Sequence, residues 1–259
     1  MTRFLGRFNS QGLNEHLREN ICTKFLPKLL DAANITSDSL RFDSTVVTRY
    51  GEQDGAKRGY NPSKKGRLSH QPQIAFLGSG YTVNFWNRSG NISSGNGIVD
   101  FFNQTILSIP GIKVERVLAD SGYYKQKIIK ALEAGGYEYV ISAPISQIIQ
   151  RKIHAMKDWT TIAHGLEIAE FEFAHSAEHW GQARRYVVVR QEVEVRPKAP
   201  GKQLTLFAET YDGSRYRHSL MVTNNETDSP HDIWSSYKPR ANDENVTLEH
   251  ERWFWLINI

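Results

Sequence analysis

Residues 113–142 read KVERVLADSGYYKQKIIKALEAGGYEYVIS. Lys113–Leu118 has the composition of a strand and stops at Ala119-Asp120-Ser121-Gly122. Tyr124–Glu133 has helical spacing and is closed by Gly135-Gly136, the residues a helix end prefers. Tyr137–Ser142 is apolar and aromatic again, a second strand. Strand, helix and strand within one short stretch place the chain in a class where helices pack against a sheet.

Upstream of this unit, Ser39–Thr48 (SLRFDSTVVT) predicts a strand. Residues 49–70, rich in Gly, Lys and Arg with Asn61-Pro62, predict a loop or wide turn. Gln73–Leu77 and Tyr81–Trp86 flank Gly78-Ser79-Gly80 and predict a hairpin. Arg88–Ser94 is turn-like, and Gly97–Leu107 predicts a helix that buries Ile98, Phe101, Phe102 and Ile106. Residues 11–33 repeat Leu13, Leu17, Ile21, Phe25 and Leu29 every fourth position, a helix that Pro27 can kink. Downstream, Glu170–Ala174, Tyr186–Val195, Leu204–Glu209 and Arg217–Thr223 read as strands, and helices follow at Pro230–Tyr237 and from about Arg240 onward. The pattern predicts an α/β chain: a mixed sheet flanked by helices, with a β-rich block before the last helix.

The chain has 259 residues, 39% of them hydrophobic, enough for one or two domains. No apolar run approaches the roughly 20 residues of a membrane span, and the N-terminus lacks the apolar core of a secretory signal. The single cysteine, Cys22, excludes an internal disulfide and suits a reducing cytosol. Net charge is only +4, but it is concentrated. Arg49, Lys57, Arg58, Lys64, Lys65 and Arg67 face only Glu52 and Asp54 between residues 49 and 70, and a second basic stretch runs from Arg184 to Lys202. Such stretches can pair with phosphates, or they can be ordinary solvated loops. Among the carboxylates, Asp43 within a strand, Asp120 at a strand end and Glu244 on the last helix form the kind of set that two-metal phosphoryl chemistry needs. His175-Ser-Ala-Glu178-His179 matches a zinc-protease pattern, but the alternating Glu170–Phe173 before it reads as strand, where that pattern needs a helix. The six Trp residues read as core, with Trp159, near Lys152 and Lys157, the one candidate for DNA contact.

Four blocks carry a resemblance. LRFDSTVVTRYGEQDGAKRGYNPSKKGRLSHQP from Leu40, GNISSGNGIVDFF from Gly90, RVLADSGYY from Arg116 and the Y-x-x-R-x-x-x-E spacing of Tyr237, Arg240 and Glu244 occur in order. Together they resemble bacterial insertion-sequence transposases of the DDE type (DDE domain group 1). The resemblance implies an RNase H-like core over 39–150, a helical remnant over 1–38, a β-rich insertion over 151–225 and a C-terminal glutamate helix over 226–259. It also implies an enzyme that cleaves DNA at transposon ends and transfers the freed strand to target DNA. Asp43, Asp120 and Glu244 would hold Mg²⁺, with Mn²⁺ as a substitute. Tyr237 and Arg240 would hold DNA phosphates, alongside the basic residues 49–67 named above. A cytoplasmic, nucleoid-associated location, DNA as partner, no membrane, and room for a homodimer complete the expectation. At position 251, where the family usually has a Lys, the chain has Glu251, and its tail ends in RWFWLINI. A truncated copy with little strand-transfer activity, or a remnant that at most binds DNA, is the alternative these departures imply.

Overall fold

A computed structural model describes residues 20–51, 53–62, 64–174, 180–192 and 215–239. The chain divides into two compact units, Met1–Arg116 and Val117–Ile259. Among the described residues no helix is long and apolar enough to cross a membrane.

In the first unit a π-helical turn, Asn20–Phe25, leads into helix α1, Leu26–Ala32, with Pro27 in its first turn. Proline lacks an N–H and is tolerated there because that donor has no helical partner anyway. The expected helix over 11–33 is therefore a π turn followed by a short α-helix over its described part, and residues 11–19 lie outside the described residues. Ile21, Phe25 and Leu29 of the four-residue stripe are exposed, while Leu26 and Leu30 are buried instead. Strand β1 covers Ser37–Ser44. It ends earlier than the expected strand: Thr45 stands opposite Pro72 and its N–H still donates to the Pro72 carbonyl, but proline has no N–H to return the bond, and the ladder stops there. The β-branched Val47-Thr48 becomes β2 of a separate small sheet, with β3 (Lys57–Arg58) and β4 (Leu68–His70) in the order β2-β4-β3. The expected loop of residues 49–70 thus contains two short strands.

Strands β5 (Gln73–Leu77) and β6 (Thr82–Trp86) form the expected hairpin, and β5 pairs antiparallel with β1, Leu40 opposite Leu77 through Ser44 opposite Gln73. Helix α2, Ile98–Ser108, packs on the face that carries Phe42. Phe42 meets the Phe101 and Phe102 rings edge-on at 5.8 and 6.1 Å. Ile106, expected inside, is only half-buried, and Thr105 is buried in this helix instead. Strand β7, Lys113–Ala119, straddles the boundary between the units. Its first residues lie beside the start of β1: the Lys113 N–H donates to the Thr36 carbonyl, and Ser37 Oγ donates to Glu115 Oε1.

In the second unit the sheet is mixed. β7 runs parallel to β8 (Tyr139–Ser142), with helix α3 (Gln126–Ala134) between them in sequence. Beyond β8 all pairings are antiparallel, in the order β8-β12-β11-β10-β9. Here β9 is Thr160–Ala163, β10 Leu166–Phe173, β11 Arg184–Glu192 and β12 Tyr216–Thr223. β9 and helix α4, Gln147–Ala155, are absent from the sequence-based reading. The expected strand at 204–209 lies outside the described residues. One sheet face, with Leu118, Val140, Ile168, Val187, Val189 and Met221, buries Ile233, Trp234 and Tyr237 of helix α5, Pro230–Tyr237.

The second unit also holds a bidentate ion pair between the buried Arg184 and the half-buried Glu133. Arg184 Nε and Nη2 donate to the two oxygens of Glu133 at 2.7 and 2.9 Å, and Tyr139 Oη donates to Glu133 Oε1 at 2.9 Å. Burial pushes the Glu133 carboxyl up, but the hydrogen bonds from Arg184 and Tyr139 and the nearby positive charge bring it net below the usual carboxylate range. A carboxylate whose folded-state value lies below its unfolded one (about 4.3) stabilises fully above the unfolded value, and the gain is lost as pH falls through the folded one. Replacing Arg184 by Met strands the Glu133 charge and is expected to cost about 2–3 kcal/mol. Urea unfolding across pH 3–7 checks both points: the wild type should lose stability at the acid end of that range, and Glu133→Gln should flatten that dependence.

Candidate active site

Asp43 is the penultimate residue of β1, opposite Ile74 of β5. Because strand side chains alternate, it faces away from Phe42 and the helix α2 packing, and it is half-buried. The strand end beside it is tied to the second motif block, residues 90–102. Ser44 Oγ and Ser94 Oγ are 2.7 Å apart, and Gln71 Nε2 donates to Ser94 Oγ at 3.2 Å. The buried Arg88 braces the same block. Its Nε donates to the Gln71 carbonyl, and its Nη1 to the carbonyls of Ser93 and Asn96. The turn-like reading of Arg88–Ser94 had no signal for this brace, because the partners are backbone carbonyls and a neighbouring strand end.

Asp120 follows β7 directly. Its backbone stays extended and its Oδ1 accepts from the Gly122 N–H at 2.8 Å, capping the 3₁₀ turn Ser121–Tyr123. One carboxylate oxygen is thereby oriented by the chain's own turn. Helix α5 reaches the same place. It starts with a reciprocal cap: Ser229 Oγ accepts from the Asp232 N–H, and the Ser229 hydroxyl donates to Asp232 Oδ2, with Pro230 in the first turn. It ends with Tyr237, which is buried and donates its hydroxyl to the Ala119 carbonyl at 3.2 Å. The last turn of α5 therefore lies against the residue that precedes Asp120. Sequence reasoning linked Tyr237 with phosphate. The structure places its hydroxyl on the backbone of β7.

Glu244 and Arg240 lie outside the described residues, as do His175–His179. Among the described residues no group of three or more His, Cys, Asp or Glu could hold a metal ion. The candidate donors Asp43, Asp120 and Glu244 are all carboxylates, the oxygen set that suits Mg²⁺. Of the basic residues, Lys57, Arg58, Lys64, Lys65 and Arg67 are exposed on and around the small sheet. Arg49 differs from them: it is buried, and its Nε donates to His70 Nδ1 at 3.1 Å. Trp159 is half-buried, donates Nε1 to the Met156 carbonyl, and lies under the Arg190 guanidinium, 4.0 Å from its ring centre. Lys152, one of the two lysines near Trp159 in sequence, donates to the Glu172 carbonyl.

Over residues 1–256 the chain matches the family described as transposase DDE domain, group 1. No curated protein matches. Eight chains of known structure do. One is a piggyBac transposase in a synaptic complex with hairpin DNA: 13% identical, TM-score 0.48, the match covering 94% of this chain. This chain spans about half, 47%, of the length of that one. With nearly every residue inside the family match, the chain belongs to the transposase DDE domain group 1 family.

Proposed function

We propose that the chain carries the catalytic centre of a transposase that cleaves the phosphodiester at transposon ends and joins the freed 3′-hydroxyl to target DNA. Asp43, Asp120 and Glu244 are its metal ligands. The observation that carries this reading is the bond from the Tyr237 hydroxyl to the Ala119 carbonyl. It brings the helix that carries Tyr237 to the residue next to Asp120, so two of the four motif blocks meet within the second unit. Family membership supports the same chemistry.

Each part of the chain has a stated task in this reading. Asp120 presents a carboxylate whose orientation is set by Gly122, and Asp43 presents one from a strand end braced by Ser94 and Arg88. Two Mg²⁺ bound by these groups would supply charge neutralisation at the attacking and leaving oxygens of an in-line displacement. Arg240 and the exposed cations around the small sheet hold phosphates, Arg being suited to bidentate contact. Tyr237 is a positioning residue: it acts through Ala119 rather than on DNA.

Two measurements test this. Electron paramagnetic resonance of free Mn²⁺ should show binding to the chain, with the affinity sharply reduced in Asp43→Ala and Asp120→Ala. Nicking of a labelled transposon-end duplex should fall by at least about a thousandfold in the same variants, the several kcal/mol a bound metal contributes. Unchanged Mn²⁺ binding in both variants overturns the assignment. Tyr237→Phe keeps the ring in the core and removes the hydroxyl. It should cost about 1 kcal/mol of stability and slow nicking, while the Kd for DNA stays the same. A weakened Kd would instead return Tyr237 to phosphate contact.

A further inference from the structure

The small sheet β2-β4-β3 is built with far more buried polar structure than a solvated loop requires. Arg49, Asn61, Ser69 and His70 are all at most 5% exposed. Arg49 Nε donates to His70 Nδ1, so that nitrogen carries no proton, and His70 Nε2 is the donor to the Asp54 carbonyl at 3.0 Å. Asn61 Nδ2 donates to Thr48 Oγ1, and Asn61 Oδ1 accepts the Lys64 N–H, which fixes the Asn61–Lys64 turn. Gly59 and Gly90 pack backbone to backbone: a Cβ on Gly59 would fall 1.8 Å from the Gly90 carbonyl oxygen, and one on Gly90 would fall 2.2 Å from Ser69 Oγ. Only glycine fits either place. Buried polar networks of this kind fix one conformation.

What that scaffold displays is cationic and aromatic. Lys57, Arg58, Lys64, Lys65 and Arg67 are exposed, and Tyr50 and Tyr60 are 68% and 78% exposed. A cleft of about 390 Å³ is lined by Tyr50, Arg58, Lys65 and Arg67 together with Arg49 and Leu68. No carboxylate lines it among the described residues, and Arg58, Lys65 and Arg67 make no ion pair there. Cations alone would serve the phosphates of any duplex. Two rings held in water beside them are idle against paired DNA, whose base faces are covered by their own stacking. An unpaired nucleotide offers both parts at once, a phosphate for the cleft and a base face for a tyrosine.

We propose that this small sheet is a grip for unpaired DNA, with the backbone in the Arg58–Lys65–Arg67 cleft and a base stacked on Tyr50. Tyr60, two residues after Arg58, offers a platform for a second base. The inference rests on the DNA-processing reading above and adds the strand state of the substrate. The chain would prefer a single strand, or a duplex end with an unpaired overhang, to a fully paired duplex.

The test is fluorescence anisotropy of the full chain with three labelled probes: a 12-nucleotide single strand, a blunt duplex, and the same duplex with a single-stranded overhang. Tyr50→Ala should weaken single-strand and overhang binding about 10- to 100-fold, the loss of one stacked base. It should leave blunt-duplex binding unchanged, and Tyr50→Phe should restore the single-strand affinity. The triple variant Arg58→Ala, Lys65→Ala, Arg67→Ala should weaken all three probes and reduce the dependence on salt. These side chains are exposed, and circular dichroism confirms that each variant is folded. Tyr50→Ala binding all three probes like the wild type, or losing single strand and duplex equally, overturns the proposal. In either case duplex binding by the wild-type chain leaves the transposase reading intact. A wild-type chain that binds none of the probes overturns both.

Discussion

Ala119 is held on both sides. Its strand pairs in parallel with β8, in register with Ile141, and its carbonyl accepts the buried Tyr237 hydroxyl. A strand end with no partner beyond it would leave the next residue to find its own conformation. Here the next residue is Asp120, and its extended backbone and capped turn begin from a fixed point. The core beneath depends on the same arrangement, because Ile233, Trp234 and Tyr237 of α5 fill the sheet face that Leu118, Val140 and Met221 leave open. A single helix thus closes the core and supports the residue that precedes Asp120.

The first unit fixes its carboxylate differently. Arg88 gathers the carbonyls of Gln71, Ser93 and Asn96, and Ser94 meets Ser44 at the end of β1. A guanidinium with its five donors is the one side chain that can satisfy several carbonyls converging on a turn. The same economy of buried polar groups recurs in the small sheet through Arg49, His70 and Asn61, and in the second unit through Glu133, Arg184 and Tyr139. In each case a charged or amide side chain sits inside to shape backbone or strand ends, and the exposed cations are left for other work.

What could be read from the sequence was local. The β7-α3-β8 unit, the β5–β6 hairpin, α2 and α5 each announce themselves through a period, a turn or a cap within a dozen residues, and they stand close to where they were expected. The motif blocks singled out Asp43 and Asp120 as candidates, because family motifs are linear. α4 and β9 escaped notice: nine and four residues with mixed polarity carry too little periodicity to stand out.

Everything that needed a partner distant in sequence was decided by tertiary structure. The break after Ser44 follows from Pro72, which stands opposite Thr45 and has no N–H to carry the ladder on, not from any residue of β1 that disfavours a strand. Ile21, Phe25 and Leu29 make a regular apolar stripe, yet the neighbouring Leu26 and Leu30 are the ones buried, since spacing tells which residues share a face but not which face finds a core. Arg49 counts as one more cation in a basic stretch until His70 is folded against it. Tyr237 belongs to a motif by its spacing, and only the fold puts its hydroxyl on Ala119, 118 residues away. Charge, period and motif are properties of the chain. Which polar group is buried, and on what, depends on contacts that form only when distant segments meet.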